Sequence, residues 1–112
     1  MYVIGLDIGT TGTKALLVEA STGVVAGKGY QGYSLSTQDN RVEQDANDWI
    51  SASKAAIREA MAGNNQKSVS AIALSTQGAS MAMVDASGKP IGSAITWMDS
   101  RARAEAAELE QL

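Results

Sequence analysis

The chain has 112 residues, 45% of them hydrophobic, enough for one small domain with one core. Nine basic and twelve acidic residues give a formal charge of −3 with no basic stripe, which speaks against nucleic acid and an anionic membrane surface as partners. Cysteine and histidine are absent, which excludes a disulfide framework, a thiol nucleophile, a zinc or His-ligated metal and a Ser-His-Asp triad within the chain.

Tyr2 to Ile8 is a short apolar run rich in β-branched residues and reads as a buried strand. It carries no basic leader segment, and no run reaches membrane-spanning length, so the expected setting is the cytoplasm. Thr10 to Gly12 reads as a turn, Thr13 to Glu19 as a second strand, and Val24 to Tyr33 as a third containing Gly27, Gly29 and Gly32. Such short connections imply an antiparallel meander. Much of the apolar share is alanine and phenylalanine is absent, so elements must approach closely to bury enough area.

Ser34 to Arg41 is polar and reads as a loop. Asp45, with Asp48 three residues on, signals the start of a helix over Ala46 to Ala62. Trp49, Ile50, Ser53, Ile57, Ala60 and Met61 fall mostly on one face of it, with Trp49 expected in the core. Gly63-Asn64-Asn65 ends the helix, which returns the chain to a strand over Ser68 to Ser75. Ala79 to Val84 and Ile91 to Trp97 read as a hairpin around the turn Asp85 to Pro90. A last helix is expected from Asp99, as its cap, through Arg101 to Leu112, and the chain stops there as if interrupted. The order β-β-β-α-β-hairpin-α predicts an α/β fold with a mixed sheet. By element order alone it resembles the ribonuclease H-like core of the actin, hexokinase and chaperone ATPase group.

The chemistry concentrates in Asp7-Ile8-Gly9-Thr10-Thr11-Gly12-Thr13-Lys14. A carboxylate at the end of a strand suits Mg²⁺, directly or through water. Glycines permit a tight turn whose N–H groups face a ligand, and hydroxyls and an ammonium suit phosphate oxygens. The competing reading is a plain β-hairpin in which Lys14 forms a salt bridge with Asp7. The coincidence of all these groups favours phosphate and metal. Two look-alikes fail. Gly9 to Lys14 lacks the spacing of a Walker A loop. Gly27-Lys28-Gly29-Tyr30-Gln31-Gly32 fits a dinucleotide fingerprint by letter, but a polar loop follows it, not a helix. Those glycines instead mark bulges or close packing in a strand.

Residues 7–14 resemble the first phosphate motif of the FGGY carbohydrate kinases. Val42-Glu43-Gln44-Asp45 resembles the family's Val-Glu-x-Asp-Pro segment, with Ala46 in place of proline. Ala71 to Arg101 resembles its substrate hairpin, through Ser75-Thr76-Gln77-Gly78, Asp85 to Pro90 and Ala94 to Arg101. The resemblance covers nearly the whole chain and implies that residues 1–112 are the amino-terminal, incomplete part of the first kinase domain. It implies ATP and Mg²⁺ as cofactors, with Asp7 toward the metal and Gly9, Thr10, Thr11, Gly12, Thr13 and Lys14 toward the phosphates. Gln77, Gly78, Ala79, Trp97, Asp99 and Arg101 would line the sugar site. The catalytic base and the adenosine motifs are expected beyond Leu112.

Plainer roles stand beside these. Trp97 divides evenly between core and substrate platform, Asp99 is most simply a helix cap, and Gln77 is equally a turn residue. Arg101 in a first helical turn would sit badly with the helix dipole, which favours a role for it. Xylulokinases carry Met-His after the equivalent of Gln77 and glycerol kinases Arg-Glu, whereas this chain has Gly78-Ala79. The expected activity is phosphorylation of a sugar or polyol hydroxyl, xylulose-like first. The alternative is the nucleotide-binding module of a non-kinase, chaperone-like ATPase. By itself the chain is expected to be inactive, and exposed apolar surface is expected to drive self-association or a homodimer.

Overall fold

The computed structural model describes residues 1–65 and 67–111. They form two compact units, Met1–Tyr33 with Asn47–Gln77, and Ser34–Ala46 with Gly78–Leu112.

The first unit is built on strands β1 (Tyr2–Ile8), β2 (Gly12–Glu19), β3 (Val25–Gly32) and β6 (Val69–Thr76), in the order β3-β2-β1-β6. The meander predicted from the short connections is present: β1–β2 and β2–β3 are antiparallel. Helix α1 (Ala46–Ala60) then carries the chain across to β6, which runs parallel to β1. Alternation along β1 and β2 sorts the side chains. Ile4, Leu6, Ala15 and Leu17 are buried on one face, against Ala56 and Ala60 of α1. Gly5, Asp7, Lys14 and Leu16 occupy the other face, where Asp7 stands opposite Lys14 and Gly5 opposite Leu16. β6 lies at an edge and all of its residues after Val69 are exposed.

The helix lies on the sheet with almost nothing between them. A β-carbon on Gly27 would sit 1.9 Å from the Ala60 carbonyl oxygen. The first two glycines of the false dinucleotide motif are thus explained by helix–sheet contact, with a register shift at Leu17/Val18 on the neighbouring strand. The face of α1 differs from expectation. Ala52, Ser53, Ala56 and Ala60 are buried, whereas Ile50 is 57% exposed, because the close approach admits only small side chains. The Ser53 hydroxyl donates to the Trp49 carbonyl within the helix (2.6 Å).

The second unit holds β4 (Ser36–Gln38), β5 (Arg41–Gln44) and β7 (Ala94–Ile95), all antiparallel, and the short helix α2 (Arg103–Leu109). Three expectations are corrected here. The polar stretch after Tyr33 is a hairpin rather than a loop, turning at Asp39-Asn40 with Asp39 at φ 55°. The expected hairpin of Ala79–Val84 with Ile91–Trp97 shrinks to bridges Met81–Ile95 and Val84–Pro90. Pro90 has no N–H to donate and Gly92 turns into the left-handed region at φ 70°, so no continuous ladder forms. Its turn is as expected: Asp85 Oδ1 accepts from the Ser87 and Lys89 amides (2.8 and 3.0 Å). Finally, α2 begins at Arg103 with Ala102 at its cap and no side-chain cap bond, so Asp99 caps no helix and Arg101 precedes the first turn. Among the described residues, no helix is long and apolar enough to cross a membrane.

Candidate active site

The hairpin between β1 and β2 shapes the candidate phosphate loop. Gly9 N–H donates to the Gly12 carbonyl (3.0 Å) and closes the turn. Gly12 is required by crowding, since a β-carbon there would meet the Tyr30 hydroxyl at 2.6 Å and the Gln31 carbonyl at 2.7 Å. Two tyrosines hold the turn's carbonyls. Tyr30 donates to the Thr11 oxygen (3.3 Å) and Tyr33 donates to the Gly9 oxygen. Burial raises the Tyr33 hydroxyl above its ordinary range, and the Asp7 charge adds to the rise. Tyr33 therefore remains a neutral donor at physiological pH. The sequence reading missed it, although the hairpin register that places Gly32 beside Gly12 points to it.

Asp7 and Lys14 are both exposed and face each other across β1 and β2. Among the described residues no ion pair joins them; the salt bridge offered as the plainer reading is absent, and exposure removes the desolvation cost that would have demanded one. With Gly5, Leu16, Ala73 and Ser75 they line a groove of about 420 Å³ on the open face of the sheet. Thr11 is exposed and Thr10 half-buried. Thr13 differs: it is fully buried on the core face. Tyr33 lies beside it but bonds Gly9, which leaves the Thr13 hydroxyl without a partner.

No group of three or more metal-ligating side chains occurs among the described residues. A single exposed carboxylate still fits Mg²⁺, which keeps several waters and binds through one or two carboxylates plus substrate phosphates.

At the end of β6, the Gln77 amide donates to the Ile8 carbonyl (2.9 Å), tying that residue to the strand that carries Asp7. The remaining sugar-site candidates belong to the second unit. Gly78 is exposed, and Ala79 sits at φ 53°, unusual for a residue with a β-carbon. The Trp97 ring is not core, being 56% exposed, and its amide donates to the Ser80 hydroxyl (3.1 Å). Asp99 and Arg101 bond each other: Arg101 Nε reaches Asp99 Oδ1 at 2.9 Å and a terminal nitrogen reaches Oδ2 at 2.7 Å. That nitrogen also meets Glu43 Oε1 at 2.6 Å. Arg101 holds both carboxyls below the usual carboxylate range, Asp99 far below it, and its own pKa is raised in return.

A mixed sheet opening on an antiparallel meander, with a carboxylate, a glycine-bounded turn and a lysine at its first hairpin, is the opening part of an actin/hexokinase-like ATPase fold. The chain belongs to the FGGY family of carbohydrate kinases, whose N-terminal domain pattern matches residues 2–112. It is 37% identical to the xylulose kinase of Haemophilus influenzae over 112 residues, covering 94% of this chain and 22% of that protein. It is 34% identical to the gluconokinase of Bacillus licheniformis, covering 98% of this chain and 21% of that protein. Its structure superposes on that of a "xyloylose kinase" from Brucella ovis with a TM-score of 0.92 and 32% identity, covering 99% of this chain and 23% of that one. The chain thus spans about a fifth of the length of the relatives it matches.

Proposed function

We propose that the protein carrying this domain transfers the terminal phosphate of ATP to a hydroxyl of a sugar or polyol. The observation that carries the reading is the Asp7–Lys14 pair, exposed across one strand pair beside a closed glycine turn and free of a mutual ion pair. Phosphoryl transfer needs positioning and charge stabilisation more than covalent chemistry. Lys14 supplies a cation for phosphate oxygens, and Asp7 supplies an oxygen to a hydrated Mg²⁺, which when bound neutralises phosphate charge. Gly9, Gly12, Tyr30 and Tyr33 fix the backbone between them.

On this reading Gln77, Gly78, Ala79, Trp97, Asp99 and Arg101 are the candidate sugar-contacting residues. Relatives named for xylulose, gluconate and glycerol match at similar identity, so the acceptor class is a sugar or polyol, with a xylulose-like sugar the first to try. Because the chain spans about a fifth of its relatives' length, the catalytic base and adenosine contacts are assigned outside these 112 residues, which alone are expected to transfer no phosphate. Family membership favours the kinase over a chaperone-like ATPase. Absence of cysteine agrees with a cytoplasmic setting.

The test is ADP release by the protein carrying this domain, across a panel of sugars and polyols. Stimulation by at least one is expected. ATP hydrolysis that no sugar or polyol stimulates would sink the kinase reading.

A further inference from the structure

We infer that the outer edge of β6 is a pairing surface for a second copy of this chain, the two strands meeting antiparallel about a two-fold axis at Ala73. The inference is independent of the kinase reading.

The two edges of the sheet in the first unit are treated differently. Strand β3 forms one edge, and side chains from α1 and the turn after it occupy its backbone groups. The Tyr30 amide donates to Glu59 Oε2 (2.9 Å), and Asn64 Nδ2 donates to the Ala26 carbonyl (3.2 Å). Strand β6 forms the other edge. Ser68 to Thr76 contains no charged residue and no proline, the devices that ordinarily keep an edge from pairing. Its register irregularity lies at its start, opposite Tyr2 and Val3, so the rest of the strand runs regularly.

The ladder to β1 decides which groups face outward. The Gln77 amide donates to the Ile8 carbonyl (2.9 Å). Successive residues of a strand turn alternately to its two sides, so Ser75 and Ala73 also turn toward β1. Ile72 and Leu74 therefore direct their N–H and C=O groups to the outer edge. Their side chains share the core face with Ile4 and Leu6, yet stay 53% and 67% exposed.

The strand is complementary to itself. Antiparallel pairing about Ala73 sets Ile72 opposite Leu74 of the second copy, and Leu74 opposite its Ile72. Both pairs exchange N–H···O bonds through their outward groups, and both lie on the core face. The apolar side of one sheet thus continues onto the other. Ala73 meets Ala73 on the opposite face, where two small side chains leave room. Like charges directly opposite would oppose such an approach, and neither strand carries any.

The experiment uses this chain, which contains no cysteine. Facing residues at a non-hydrogen-bonded antiparallel position have Cα atoms about 4.5 Å apart, within the span of a disulfide. Ala73→Cys is therefore expected to cross-link into a dimer under mild oxidation, whereas Ser75→Cys, displaced from the axis, is expected not to. Sedimentation equilibrium of the parent chain should show a mass rising with concentration from that of one copy toward that of two. Leu74→Lys brings charge to the interface and is expected to abolish the rise. Val24→Lys, at a site 58% exposed but outside β6, is expected to leave it unchanged. Circular dichroism controls for folding, and if Leu74→Lys does not fold, the two cysteine variants decide. A parent chain that stays monomeric at every concentration would overturn the proposal. Equal cross-linking at both cysteines, or equal loss in both lysine variants, would do the same by leaving only unspecific apolar adhesion.

Discussion

A β-carbon placed on Gly29 would lie 2.0 Å from the carbonyl oxygen of Ala56. The obstacle is helix backbone, which cannot rotate aside as a side-chain tip does. Gly29→Ala must push α1 off β3 and is expected to cost about 1–3 kcal/mol or more, the range for overpacking. Urea denaturation would measure it. Gly5→Ala serves as the comparison, since nothing lies within 4 Å of the added carbon. Its effect is expected to stay within about 1 kcal/mol of zero. Equal losses at both positions would contradict the close packing of helix on strand.

Leu17 is the largest fully buried apolar side chain, at 0% exposure. Leu17→Ala removes it from a core otherwise rich in alanine, which has little with which to refill the space. A loss of about 2–5 kcal/mol is expected. At 53% exposure, Ile72 should tolerate alanine within roughly 0.5 kcal/mol. Thermal melts of the two variants would show whether burial, rather than the apolar character of the strands, carries stability.

Acid should weaken the second unit through the Asp99–Arg101–Glu43 cluster. Asp99 and Glu43 have folded pKa values lowered chiefly by their bonds to Arg101. Unfolded carboxyls titrate near about 4. Their contribution is therefore fully present above that range and is lost progressively as pH falls through it toward the lowered folded values. The Trp97 emission spectrum, followed from neutral pH downward, should change below about pH 4. Arg101→Gln should show a change at higher pH than the parent chain. Identical acid profiles would rule out the arginine as the cause.

Lys14 is the cation assigned to phosphate. Hydrogen bonds to charged groups are worth about 1.5–3 kcal/mol. Lys14→Ala in the protein carrying this domain should therefore lower kcat/KM for ATP by roughly tenfold or more. Because Lys14 is exposed and no ion pair engages it among the described residues, the melting temperature should hardly move. A variant that melts early but keeps its kcat/KM would assign Lys14 to stability instead.

The first unit was the more legible from residues. β-branched runs ended by glycine or polar turns mark β1, β2 and β6 to within a residue or so; in β1 and β2 burial on one face imposes the pattern, while β6, exposed after Val69, shows only its apolar, β-branched composition. The second unit depends on pairing more than pattern. Ser36–Gln38 is wholly exposed and carries no alternation, so only the Asp39-Asn40 turn signalled its hairpin. Ala79–Val84 had the opposite fault, since an apolar run suggested a strand that Pro90 and Gly92 across from it do not let form. Asp99 looked like a cap because any acid before a helix does. It accepts instead from the Val42 amide and from Arg101, and no local rule joins positions as far apart as 42 and 99. At the β1–β2 turn the exposed Asp7 and Lys14 could be singled out from the sequence, while Tyr33, which fixes the Gly9 carbonyl, could not.

The topology also sets an order of events. Ile8 pairs with Thr13 across a turn of four residues, whereas Tyr2 pairs with Val69 only after the chain has passed through α1. Hairpins close in about 1–10 μs, while a distant parallel strand must first meet a larger loop-closure entropy. The β1–β2 hairpin is therefore expected to assemble early and the strand leading to Gln77 late. Pulse-labelled hydrogen exchange during refolding should protect β1 and β2 amides before those of β6; the reverse order would rule this out. A ribosome making this protein would then expose a formed β1–β2 turn before the segment from Gln77 onward has been synthesised.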